Sequence, residues 1–157
     1  MLYAANTFDL RRIPSVLRLP QILLPHRFQQ IRRINFSTAF NCAPTCHPPL
    51  PYDHPTLTWK VPENGSQWPA ACAVFASFKH LDRLRIDIML RCPLADWHEH
   101  PTDGALMASF LEPLRSAQAS DFVVTITEPL EPVRKRLGTT PYHLVERKTS
   151  VCYILVR

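Results

Sequence analysis

Glycine is nearly missing from this chain, with three in 157 residues, at Gly65, Gly104 and Gly138. Backbone cannot wrap closely around a phosphate without it, so a glycine-rich nucleotide loop is excluded. No Gly-x-Ser-x-Gly occurs, which removes the nucleophile elbow of serine hydrolases. No apolar run approaches the ~18 residues of a spanning helix. The N-terminus also lacks the continuous apolar centre of a secretory signal. The five cysteines, Cys42, Cys46, Cys72, Cys92 and Cys152, therefore read as free thiols of an intracellular protein, cytoplasmic or nuclear. Acidic residues are scarce at the start of the chain. Residues 1–40 carry Arg11, Arg12, Arg18, Arg27, Arg32 and Arg33 against Asp9 alone, and this end accounts for the whole net charge of +5. A basic end can face nucleic acid, an acidic partner or anionic lipid. No aromatic series or basic recognition helix accompanies it, so solvated arginines are the plainer reading. The same composition is like that of a mitochondrial transit peptide. Against that, Phe8, Leu10, Ile34 and Phe36 have the character of core residues.

Hydrophobic content of 46% and charged content of 20% fit a soluble globular protein, and the length suits a single α/β domain over 1–157. Proline is abundant, 16 residues where an average chain has about 5%. Six of them, Pro44, Pro48, Pro49, Pro51, Pro55 and Pro62, make 43–62 a proline-rich loop without packed structure. Residues 91–103 form a second loop.

The most informative stretch runs from Trp68 to Met89. Trp68, Ala71, Cys72, Phe75 and Phe78 follow the 3.6-residue spacing of one helix face, with Pro69 tolerated in the first turn. Leu84, Ile86 and Ile88 then alternate with Arg83, Arg85 and Asp87, the period of a half-buried strand. This is a helix–strand unit, and its strand pattern recurs. An apolar-x-x-apolar-x-apolar motif occurs at Ala5/Phe8/Leu10, Ile31/Ile34/Phe36, Leu81/Leu84/Ile86 and Ala119/Phe122/Val124. The pattern predicts an α/β fold, an irregular leucine-rich-repeat-like layer of mostly parallel strands near 7–10, 33–37, 83–89 and 121–127, with 150–156 a candidate fifth. Helices near 13–30, 68–79 and 103–118 would back it. Pro25 and Pro113 each open a helical turn feeding a strand, Pro20 interrupts the first helix, and Asp103 is a candidate N-cap. After Thr127 the sequence reads as turns through Pro129 and Pro132. The asparagine ladder of a regular horseshoe is absent, since Met89 and Thr127 stand at its position.

Phe8, Leu10, Ile34, Phe36, Leu84, Ile86, Phe122 and Val124 are the expected core. The alternating residues face the other way and offer a binding surface. Arg33, Asn35, Arg85, Asp87 and Thr125 are its candidate partner-binding residues. A competing reading is a small zinc- or thiol-dependent enzyme using Cys46, His47, His98 and His100. Zinc needs four ligands, often offered as close pairs. Here Cys42-x3-Cys46-His47 lacks a matching second pair, and His98-Glu-His100 cannot place two imidazoles one helical turn apart. No catalytic, cofactor or metal site is assigned.

The stretches NTFDLRRIPSVLRLPQILLPHRFQQIRRINF, WPAACAVFASFKHLDRLRIDI and FLEPLRSAQASDFVVTI resemble a fungal family of domains of unknown function. Asn6, Phe8, Leu24, Pro25, Ile31, Trp68, Leu81, Leu84 and Pro113 carry the likeness over residues 3–130. Longer members begin with an F-box-like helical segment followed by irregular leucine-rich-repeat-like units. The resemblance implies a non-enzymatic protein-interaction module, a substrate receptor or scaffold of the F-box kind, whose partner is another protein and not a membrane. It also implies a truncated member, lacking the F-box-like segment, with an uncovered apolar edge beside Tyr3 to Leu10.

Overall fold

A computed structural model describes residues 6–41, 66–91 and 104–147. In chain order these hold β1 (Thr7–Leu10), α1 (Ile13–Ile22), α2 (Pro25–Phe28), β2 (Arg33–Asn41), α3 (Trp68–Ala76), β3 (Arg83–Arg91) and α4 (Ala105–Leu111). A 3-10 turn (Glu112–Ser116), β4 (Asp121–Ile126), α5 (Leu130–Leu137) and β5 (His143–Glu146) follow.

The strands form one sheet in the order β1-β2-β3-β4-β5, with every neighbouring pair parallel. Strands added one after another through helical crossovers of one hand leave all the helices on one face. The recurrent motif is the register of this sheet. Phe8, Ile34, Leu84 and Phe122 are Cα partners across four strands, and so are Leu10, Phe36, Ile86 and Val124. Leu144 extends the second row onto β5.

That face is the core. Ile34, Phe36, Phe40, Leu84, Ile86, Ile88, Phe122, Val124 and Ile126 are buried beneath Val16, Trp68, Phe75, Met107 and Leu114 of the helical layer. Trp68 lies between Phe36 and Phe40, with ring centroids 5.9 and 5.8 Å away, and Phe40 stacks on Phe110 at 4.6 Å. Such offset and edge-on contacts add to the area each ring removes from water.

Several elements differ from the sequence reading. The span 13–30 is two helices, because Leu23 and Leu24 take extended backbone ahead of Pro25, as the residue before a proline prefers. Pro20 lies inside α1, which continues to Ile22. The span 68–79 ends as a helix at Ala76. The span 103–118 is α4 and then the 3-10 turn, divided at Pro113. Asp103 lies outside the described residues, and Gly104 takes the N-cap position with a left-handed φ of 71°. β2 and β3 run on to Asn41 and Arg91, and the extension places Phe40 in the core. Residues 130–137, expected to be turns, are helical. Pro129 and Pro132 sit where the first-turn N–H groups have no intrahelical partner, so neither disrupts α5. The fifth strand is His143–Glu146, while 150–156 and the proline-rich 43–62 lie outside the described residues. β1 and β5 are the edge strands of the described sheet, and Phe8 and Leu10 of β1 are half-buried against the core.

Candidate functional site

The period of two that buries one row exposes the next. On the face away from the helices, Arg33, Arg83 and Asp121 form one row of Cα partners, and Asp9, Asn35, Arg85, Val123 and His143 form the next. Ser37, Asp87, Thr125 and Val145 form a third. The five candidate residues Arg33, Asn35, Arg85, Asp87 and Thr125 therefore share this open face over three successive rows. Asn35 and Arg85 are direct neighbours, as are Asp87 and Thr125.

Polar side chains on this face are partly engaged with one another. Asn35 Nδ2 donates to Asp9 Oδ1 at 2.8 Å. Arg83 Nε donates to Asp121 Oδ2 at 2.9 Å, and Arg85 Nη2 approaches the same oxygen at 3.8 Å. Arg147 Nη2 pairs with Asp87 Oδ2, while Asp87 Oδ1 is shut off from solvent without a donor. Arg33 is exposed, and its side chain makes no ion pair or hydrogen bond among the described residues. The Arg83–Asp121 pair, 45% and 41% exposed, contributes about 0–1 kcal/mol and is screened by salt.

Sequence reasoning passed over Asp121, His143 and Arg147. Asp121 was legible as the residue two before Val123 on the same strand face. His143 and Arg147 required knowing that residues 143–146 form a strand parallel to β4.

The six N-terminal arginines do not gather on one surface. Arg33 is on the open face, Arg18 is exposed on α1, and Arg32 donates to the carbonyl of His80 at 2.8 Å, tying β2 to the turn before β3. Cys46, His47, His98 and His100 lie outside the described residues. Cys72 is the described cysteine, buried on α3, and burial pushes its thiol well above the usual range. A shallow concavity of about 220 Å³ lies between the end of α5 and β5, lined by Arg134, Leu137, Gly138, Tyr142 and Leu144 among others. It is smaller than the roughly 300–1,000 Å³ of small-molecule sites. Arg134 and Tyr142 there are already committed, to the carbonyls of Leu144 and Leu111 respectively. No helix among the described residues is long and apolar enough to cross a membrane.

Comparison with the curated proteins and with solved structures gave no match. Residues 1–145 match one family, described as a domain of unknown function (DUF7730). With its parallel five-stranded sheet, the chain belongs to the DUF7730 family.

Proposed function

We propose that this chain is a non-enzymatic protein-interaction module, acting inside the cell, in cytoplasm or nucleus, as a receptor or scaffold of the F-box kind. The carrying observation is the one-sided sheet. Parallel sheets are ordinarily covered on both faces. Here helices cover one, and among the described residues nothing packs on the other. The open face has the polar, mixed-charge composition of a recognition surface, with Val123 and Val145 as apolar points between the charges. Solenoid-like α/β layers use such surfaces for partners. The exposed fraction of Val145, 43%, is consistent with an apolar contact awaiting a partner. A thiol enzyme centred on Cys72 is disfavoured by its burial, because the thiolate is the reactive form.

The test is site-specific photocrosslinking in cells. A photoreactive amino acid is placed at Thr125 on the open face and, separately, at Arg18 on α1. The expected outcome is a discrete adduct from position 125, absent from position 18 and competed by excess unlabelled protein. Equal labelling from both positions would discount the open face as the interaction surface.

A further inference from the structure

Arg33 and Arg83 are direct Cα partners on β2 and β3, and Arg85 lies two residues farther along the same face of β3. Adjacent strands are about 4.8 Å apart and same-face residues about 6.6 Å apart. Three guanidinium-bearing side chains are thus confined to one small area. Like charges placed directly across a strand pair destabilise a sheet. The offset within the face is slight. Asp121 serves both Arg83 and Arg85, and Asp9 is hydrogen-bonded to Asn35. Arg33 has no carboxylate within ion-pair distance among the described residues. Farther along the face, Asp87 and Arg147 pair with each other.

We infer that Arg33, Arg83 and Arg85 anchor an extended acidic segment of a partner protein, whose Asp or Glu side chains at alternate positions face the sheet. The inference rests on the open face being the interaction surface. An extended peptide places every second side chain on one side at the spacing that separates Arg83 from Arg85, so two carboxylates meet two guanidinium groups in register. Arg33 lies one strand to the side and is accessible to either carboxylate. A protein segment suits this surface better than nucleic acid. The described open face carries no Phe, Tyr or Trp on which bases could stack.

Fluorescence anisotropy with the whole chain tests this. The probes are a labelled decapeptide of alternating Glu and Thr, a peptide of the same composition with the glutamates in one block, and an oligothymidine hexanucleotide. Wild type is compared with R33E/R85E and with R18E/K135E, which changes the charge equally at exposed positions on α1 and α5. Circular dichroism checks that each variant is folded. The expected result is about tenfold weaker binding of the alternating peptide to R33E/R85E, less than about twofold change for R18E/K135E, and weaker binding of the block peptide. Undiminished binding to folded R33E/R85E, no binding of the alternating peptide to wild type, or tighter binding of the oligothymidine would each overturn the inference. A Thr125 photoadduct without acidic-peptide binding would retain the open face and discard the acidic segment. Loss of both would discard both.

Discussion

Trp68 Nε1 donates a 2.7 Å hydrogen bond to the carbonyl oxygen of Phe110, 42 residues away. The acceptor needs an outside donor because the helix changes character there. In the 3-10 turn that follows α4, the carbonyl of residue 110 would look to the N–H of residue 113, and Pro113 has none. The next carbonyl, that of Leu111, accepts from the hydroxyl of Tyr142 at 3.1 Å. The Trp68 indole thus satisfies the acceptor that proline leaves open, and the Tyr142 hydroxyl adds a second bond to the next turn. Trp68→Phe keeps most of the apolar volume but strands a buried acceptor, so it should cost about 1–3 kcal/mol. Trp68→Ala also opens a cavity beside Phe36 and Phe40 and should cost about 3–5 kcal/mol. Urea unfolding checks both, with a lower midpoint and an unchanged slope.

Gly104 combines a φ of 71° with close packing. A Cβ there would lie 2.7 Å from both Pro132 C and Val133 N, backbone atoms of α5 that cannot turn aside. Gly138 also has positive φ, 63°, but a Cβ there would meet nothing within 4 Å. Gly104→Ala should therefore be the more damaging, combining about 1–3 kcal/mol of conformational strain with displacement of α5 from α4. Gly138→Ala should show the strain alone. Thermal melts of the two variants, compared under the same conditions, check the order.

Burial raises the Tyr142 phenol to about 12, a shift that nearby Arg115 opposes and Glu112 and Cys72 reinforce. A phenol that holds its proton more tightly when folded leaves stability untouched below about pH 10, where both states are neutral. Above pH 10 the unfolded chain ionises first. Stability should fall by about 2–3 kcal/mol as the pH rises from about 10 to about 12. Denaturant midpoints measured across this range should drop in the native protein and less in Tyr142→Phe, which should itself cost about 0.5–1.5 kcal/mol at neutral pH by removing the hydroxyl's hydrogen bond to the Leu111 carbonyl.

The Cys72 thiol is 1% exposed and is pushed upward by burial. In a variant with Cys42, Cys46, Cys92 and Cys152 replaced by serine, Cys72 should resist a chromogenic disulfide reagent at pH 8. Its labelling rate should rise with urea along the unfolding transition. Rapid labelling of the folded protein would contradict the packing of α3 on the sheet.

Much of the layer was legible before any coordinates. Four strands and their mutual register follow from the spacing of Phe8, Ile34, Leu84 and Phe122, because period two and helical period are local properties of neighbouring residues. α5 was not legible. Its apolar face is just Val133 and Leu137 among buried residues, and two prolines near its start read as turn signals. Its N-terminal end is held from elsewhere, where Leu130 N donates to Glu146 Oε2 at 3.2 Å. The place of β5 beside β4 was not legible either, since the candidate fifth strand fell at 150–156 rather than His143–Glu146.

The sequence by itself determined which side of each strand is oily and which is polar, and so that Arg33, Asn35, Arg85, Asp87 and Thr125 share a face. Only the tertiary structure decided how that face is wired. Asp121 meets Arg83 and Arg85 from 38 residues or nearly so along the chain, and Arg147 reaches Asp87 across 60. Such pairings depend on strand order and on how far each crossover carries the chain. The local alternation of residues is the same whichever strands become neighbours.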